Sequence, residues 1–156
     1  MEKFVSIHTS ADYGAEAYLR SCVAAFCVRL SPSLDEINDI KTAVSEAVTN
    51  VIVHAYPHTC GEVRVDVKLV ERTVYIDVTD NGCGIDDVAL ARQPFFSGDT
   101  SGERSGVGFT VMDAFMDGLT VENRTEGGLR VSMKKHIRGE ECCLKADEEG
   151  VFCAGS

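Results

Sequence analysis

The chain has 156 residues, a length that fits one domain able to bury roughly 68–70% of its unfolded surface. Hydrophobic residues make up 44% and charged residues 26%, ordinary for a soluble globular protein, and no run nears the ~20 apolar residues of a membrane span. A formal net charge of −10 disfavours a large DNA or RNA footprint, because an acidic chain repels phosphates; it suits a basic protein partner or serves solubility alone.

Residues 1–10, MEKFVSIHTS, lack the apolar stretch of an export signal, and KFVSIHT alternates as a first strand does. The next stretch, residues 11–30, places Ala15, Leu19, Cys22, Val23, Phe26 and Leu30 on one helical face, with Arg20 on the opposite, exposed side. SPSLDE stops that helix and opens another: Ser33 and Glu36 have the spacing of a capping box, with Pro32 just before. The second helix is expected to run to about His54, with Ile37, Ile40, Val44, Val48 and Val51 as its buried stripe. Glu46 and Asn50 lie four apart on it and differ by only ~40° in direction. Such a pair is either a solvated stripe or the edge of a site, where a Glu acts as general base and an Asn oxygen suits Mg²⁺.

EVRVDVKLV and TVYIDVT alternate strictly and predict half-buried strands joined by a hairpin near Glu71-Arg72. Asp80-Asn81-Gly82-Cys83-Gly84 follows directly. It reads as a plain turn, or as a strand-end carboxylate with glycines that let backbone approach a ligand. Residues 92–105 have turn composition and predict a mobile loop. Arg104-Ser105-Gly106-Val107-Gly108 then opens a helix, either as a glycine hinge or as a phosphate-binding N-terminus. No Walker or Rossmann glycine pattern is present. GLTVEN and GLRVSMKKH form two last strands about a turn at Glu126-Gly127, and the polar tail after His136 is expected to be disordered.

The order β-α-α-β-β-α-β-β implies an α+β two-layer sandwich, within the broad α/β class, with a mixed, mainly antiparallel sheet and helices on one face. One domain, residues 1–138, precedes a tail at 139–156. The seven cysteines (Cys22, Cys27, Cys60, Cys83, Cys142, Cys143, Cys153) are odd in number and form no CxxC pair. Free thiols in a reducing cytoplasm are expected, and adjacent Cys142 and Cys143 do not make a zinc site.

Glu46/Asn50, the Asp80 box and the Gly106/Gly108 box, in that order, resemble the ATP-binding family shared by DNA gyrase, Hsp90, histidine kinases and MutL. IKTAVSEAVTNVIVHAY, ARQPFF and ERSGVGFTVMDAFMD are similar to its anti-sigma F branch, serine-protein kinases of endospore formers. The resemblance, which runs to about His136, implies a histidine-kinase-like ATPase domain. It implies Asn50 as ligand of the Mg²⁺ on ATP, Glu46 as base for a serine hydroxyl, and Asp80 as acceptor of the adenine amino group. Gly82 and Gly84 would close around the nucleotide, Arg104, Gly106 and Gly108 would contact phosphates, and Arg20 would grip protein partners. The implied protein is a cytoplasmic homodimer that inhibits a sporulation sigma factor and phosphorylates an anti-anti-sigma protein, with no direct contact to nucleic acid or membrane. ATP would favour the sigma complex and ADP the anti-anti-sigma complex. The alternative is a non-catalytic, ATP-dependent sigma-binding module. A detached histidine-kinase domain would need a phosphoacceptor on a helical hairpin, and none of His8, His54, His58 or His136 has that setting.

Two stretches depart from the family pattern. The lid carries Ser97-Gly98-Asp99-Thr100 where Thr-Thr-Lys-Pro is usual, and the last strand reads Gly128-Leu129-Arg130 in place of Gly-Thr-Thr. Cys83 is expected only to fill space, and His54 to be a structural hydrogen-bonder.

Overall fold

Alternating valines and isoleucines dictate the scaffold: each strand turns one apolar row inward and one polar row outward. The computed structural model describes residues 1–93 and 108–139. Five strands, β1 (Lys3–Ser10), β2 (Glu62–Val70), β3 (Thr73–Asp80), β4 (Gly118–Asn123) and β5 (Leu129–His136), form one sheet in the order β1-β2-β3-β5-β4. Every pairing among the described residues is antiparallel, with Val67 opposite Ile76 and Val78 opposite Val131. The β2–β3 hairpin turns at Glu71-Arg72, and Glu71 adopts a φ of 53° there.

Helix α1 (Ala15–Cys27) continues into a 3-10 turn (Val28–Leu30), and α2 (Leu34–Asn50) into a π turn (Val51–Ala55). Ser33 and Glu36 form the complete capping box at the start of α2. The inward face of α1 is Ala15, Leu19, Val23 and Cys27; Cys22 and Phe26 are only half-buried, so the stripe is rotated from the expected one. Ile40, Val44 and Val48 pack with Val63, Val65, Val67 and Ile76 in one core, which Met112 of α4 (Gly108–Phe115) completes. A short helix, α3 (Val88–Ala91), was not legible in the sequence; Asp87 caps it by accepting from Leu90 N at 3.0 Å.

Residues 137–139, beyond His136, pack onto the domain. Ile137 is fully buried, and Glu36 accepts from Arg138 N at 2.7 Å and Gly139 N at 3.1 Å. Residues 140–156, and with them most of the expected tail, lie outside the described residues, as does most of the expected mobile loop.

Candidate active site

Glu46 and Asn50 lie half-buried, one turn apart on α2, while Ala43, Val44, Ala47 and Val48 take the core side. Across from them α4 begins. A Cβ placed on Gly108 would stand 3.2 Å from Glu46 Oε2, 3.3 Å from Asn50 Oδ1 and 3.4 Å from Asn50 Nδ2. The first turn of α4, whose N–H groups have no partner within the helix and form its positive dipole end, thus begins against two side-chain oxygens.

Beyond Asn50 the π turn changes the direction of successive side chains, a widening that recurs at functional sites. The Ala55 carbonyl accepts from Cys83 N at 3.0 Å, tying this turn to the segment after β3. Gly82 passes so close that a Cβ there would overlap the same carbonyl oxygen, which restricts the position to glycine. Tyr56 adds a second tie: its hydroxyl donates to Glu62 O at 2.7 Å and accepts from Asn81 N at 2.9 Å.

Asp80 closes β3 and is only 4% exposed. Its Oδ1 accepts from Gly82 N at 2.8 Å and Leu129 N at 3.3 Å, whereas Oδ2 receives no hydrogen bond among the described residues. Burial, the largest influence, pushes the carboxyl's pKa above the ordinary aspartate range, against the opposing pull of the Gly82 and Leu129 N–H groups and Arg124. One saturated oxygen beside one open oxygen makes a directional acceptor for an N–H donor.

The β4–β5 hairpin braces the glycine segment from outside. Asn123 accepts from Ile85 N at 2.9 Å and donates to Ile85 O at 2.6 Å, close beside Gly84, whose φ is +70°. Arg124 donates to Asp80 O at 2.9 Å. Asn123, Arg124 and Tyr56 were not singled out by the sequence reading. An Asn-Arg pair ending an alternating strand was the only local signal, and Ile85 and Asp80, which the two residues hold, lie 38 and 44 positions away.

The fold therefore gathers Glu46, Asn50 and Gly108 into one group and Asp80, Gly82 and Gly84 into another, with the Ala55 carbonyl between them. Arg104 and Gly106 lie outside the described residues, as do Ser97, Gly98, Asp99 and Thr100. Arg20 is not fully exposed as expected: it is half-buried at the α1–α2 contact, 2.9 Å from Glu16 Oε1 and 3.4 Å from Ser45 Oγ. The Ser45 hydroxyl also donates to Glu16 Oε1. Cys83 does not fill space; it is exposed, and its thiol donates to the His54 carbonyl at 3.3 Å. Leu129 is buried and offers the site a backbone N–H, while Arg130 points outward, 3.5 Å from Glu122.

Among the described residues, no group of three or more His, Cys, Asp or Glu could form a protein-only metal cage, and no helix is long and apolar enough to cross a membrane. The neighbouring carboxylate and amide oxygens of Glu46 and Asn50 still fit Mg²⁺, which takes few protein ligands and completes its shell with water and substrate phosphates.

Residues 9–135 match the model of the histidine kinase-like ATPase domain. The fold and site therefore define a nucleotide-binding protein of that class. The chain is 50% identical over 121 residues to an anti-sigma F factor of Clostridium botulinum (strain Eklund 17B / Type B), covering 77% of this chain and 85% of the relative. It is 41% identical over 138 residues to the anti-sigma F factor of Bacillus subtilis (strain 168), covering 88% and 94%. The chain belongs to the anti-sigma F factor family. Its fold also resembles the RsbU and RsbW domains of a Mycobacterium tuberculosis protein (TM-score 0.63, 18% identity, 86% of this chain and 32% of that one). A mycobacterial sensor histidine kinase, MprB, shares the fold too (TM-score 0.55, 17% identity, 85% and 99%).

Proposed function

We propose that this protein binds and inhibits a sporulation sigma factor and, with Mg–ATP, phosphorylates a serine on an anti-anti-sigma protein. The observation that carries the reading is the approach of Gly108 to both Glu46 and Asn50, which joins a carboxylate, an amide oxygen and a helix N-terminus in one place. In this reading Asn50 Oδ1 holds Mg²⁺, and Asp80 Oδ2 accepts the adenine amino group. Gly82 and Gly84 let backbone close on the nucleotide, and Arg104, Gly106 and Gly108 contact its phosphates. Bound Mg²⁺ supplies charge neutralisation to the phosphates, the main requirement of phosphoryl transfer. Glu46 accepts the serine Oγ proton as the bond from Oγ to the γ-phosphorus forms and the bond to the ADP oxygen breaks. Arg20 contacts protein partners, and the protein works as a cytoplasmic homodimer.

Mass detection of phosphate on a candidate anti-anti-sigma protein tests the assignment. Glu46→Ala is expected to abolish transfer while nucleotide binding persists; full transfer by that variant would remove Glu46 as base. A non-catalytic, ATP-dependent sigma-binding module is the second reading, favoured by Leu129, which offers the adenine wall no side-chain donor. Sigma binding that requires ATP without any detectable transfer would select it.

A further inference from the structure

Arg124 follows β4 at the turn into β5. Its backbone closes that turn, donating to Gly128 O at 2.9 Å and accepting from Gly127 N at 3.1 Å. The side chain does not extend into solvent; it is 18% exposed and folds back onto the end of β3. Nη1 donates to Asp80 O at 2.9 Å and to Asn81 Oδ1 at 2.5 Å, with Gly127 O at 3.4 Å, and Nη2 pairs with Glu126 at 2.8 Å. Fixing so long a side chain costs rotamer freedom, so a guanidinium spread over these acceptors is unlike an ordinary solvated surface charge.

The held corner is the one that aims Asp80. Two backbone N–H groups occupy Oδ1, so rotation of the residue 80–81 backbone redirects Oδ2. Gly128 presses on the other side: its φ is +85°, and a Cβ there would overlap the Asp80 carbonyl oxygen. Leu129 supplies that wall with a backbone N–H only, leaving Asp80 Oδ2 as the open side-chain acceptor identified there.

We propose that Arg124 is a positioning residue for nucleobase selection, holding the Asp80-Asn81 corner so that Asp80 Oδ2 meets an exocyclic amino group. The proposal rests on the nucleotide reading of the site. Arg124 touches no ligand in this role and acts wholly through Asp80. A simple hairpin clasp would stabilise the turn without distinguishing one purine from another.

Calorimetric titration of the full chain with ADP and with purine riboside diphosphate, which lacks the 6-amino group, separates the possibilities. The wild type is expected to prefer ADP. In Arg124→Met, ADP affinity should fall about tenfold, the effect of one charge-assisted hydrogen bond, while affinity for the deamino analogue stays within about twofold. Arg124→Lys should restore part of the preference. Asn81→Ala, an exposed change that removes one of the acceptors, should lower the ADP preference in the same direction by a smaller factor. An equal loss for both nucleotides, or unchanged ADP binding, in Arg124→Met overturns the proposal. Should Arg124→Met not fold, an unchanged nucleotide ratio in Asn81→Ala overturns it. A wild type that binds the two nucleotides equally overturns the amino-acceptor reading of Asp80, and the role of Arg124 with it.

Discussion

Lys135 and Asp39 meet inside the protein, with Nζ 2.9 Å from Oδ2, and the same ammonium donates to the Phe115 carbonyl at 2.7 Å. One lysine on β5 thereby fixes α2 and the last turn of α4 together. That anchor stands at the end of α4 opposite Gly108, so α4 begins against Glu46 from a secured base. The Lys135 side chain is 10% exposed and that of Asp39 28%. Asp39→Ala leaves a buried ammonium without its counter-ion and is expected to cost about 3 kcal/mol, near the low end for such pairs because Asp39 is partly solvated. Replacing both residues, Asp39→Leu with Lys135→Met, should recover most of that loss. Urea unfolding checks both, and an unchanged midpoint in Asp39→Ala would show that the pair contributes nothing.

Gly108→Ala puts a methyl group 3.2–3.4 Å from Glu46 and Asn50, tight but short of overlap. The protein should fold with nearly wild-type stability. Phosphoryl transfer should fall about tenfold, because small displacements of reacting groups are costly. Wild-type kinetics would show that the gap between α4 and α2 is not used.

Asp80 titrates above ordinary aspartates, chiefly through burial. Its ionised form is therefore the disfavoured one in the folded protein. Any stability linked to it is complete below the unfolded aspartate range and fades as pH rises through Asp80's own raised value. Asp80→Asn is expected to unfold at a higher temperature than the wild type at neutral pH, with the difference shrinking toward acid. Adenine nucleotides should bind the wild type more weakly as pH falls through the same window, since a protonated Oδ2 no longer accepts. Melting curves against pH decide it: a constant offset would mean that Asp80 titrates normally.

Thiol alkylation should divide the cysteines of the described residues. Cys27 is buried, and burial pushes its pKa to about 12, so it should react only after unfolding. Cys60 and Cys83 are exposed and should react in the native protein. Because Cys83 lies between Gly82 and Gly84, saturating ADP should slow its modification and leave Cys60 unaffected. Mass mapping of labelled peptides reads this out, and equal protection of both would argue against nucleotide at the glycine segment.

Strands and the capped helix α2 were legible because their causes are local: period-two valines in β2 and β3, and a Ser33–Glu36 box four residues wide. Glu46, Asn50 and Asp80 stood out as candidates through their order along the chain. Arg124 did not, since its acceptors on Asp80 and Asn81 are 44 and 43 positions away and depend on how β5 inserts between β3 and β4. The orientation of α1 was misjudged by part of a turn, because Cys22 and Cys27 are equally acceptable to an apolar face and packing against α2 chose between them. Arg20 escaped the pattern for a related reason: its position faces away from the core yet toward Ser45, a polar contact that hydrophobic periodicity does not register.

Glu36 gathers the N–H groups of Ser33, Arg138 and Gly139 on one carboxylate. The start of α2 and the exit from β5 are therefore a single joint, held by a hydrogen-bonding acid beyond the last strand residue. A version of the chain cut after His136 would leave that acid two donors short and open the space filled by Ile137. One cut after Gly139 would keep both. For anyone trimming this protein, residues 137–139 decide whether that joint survives.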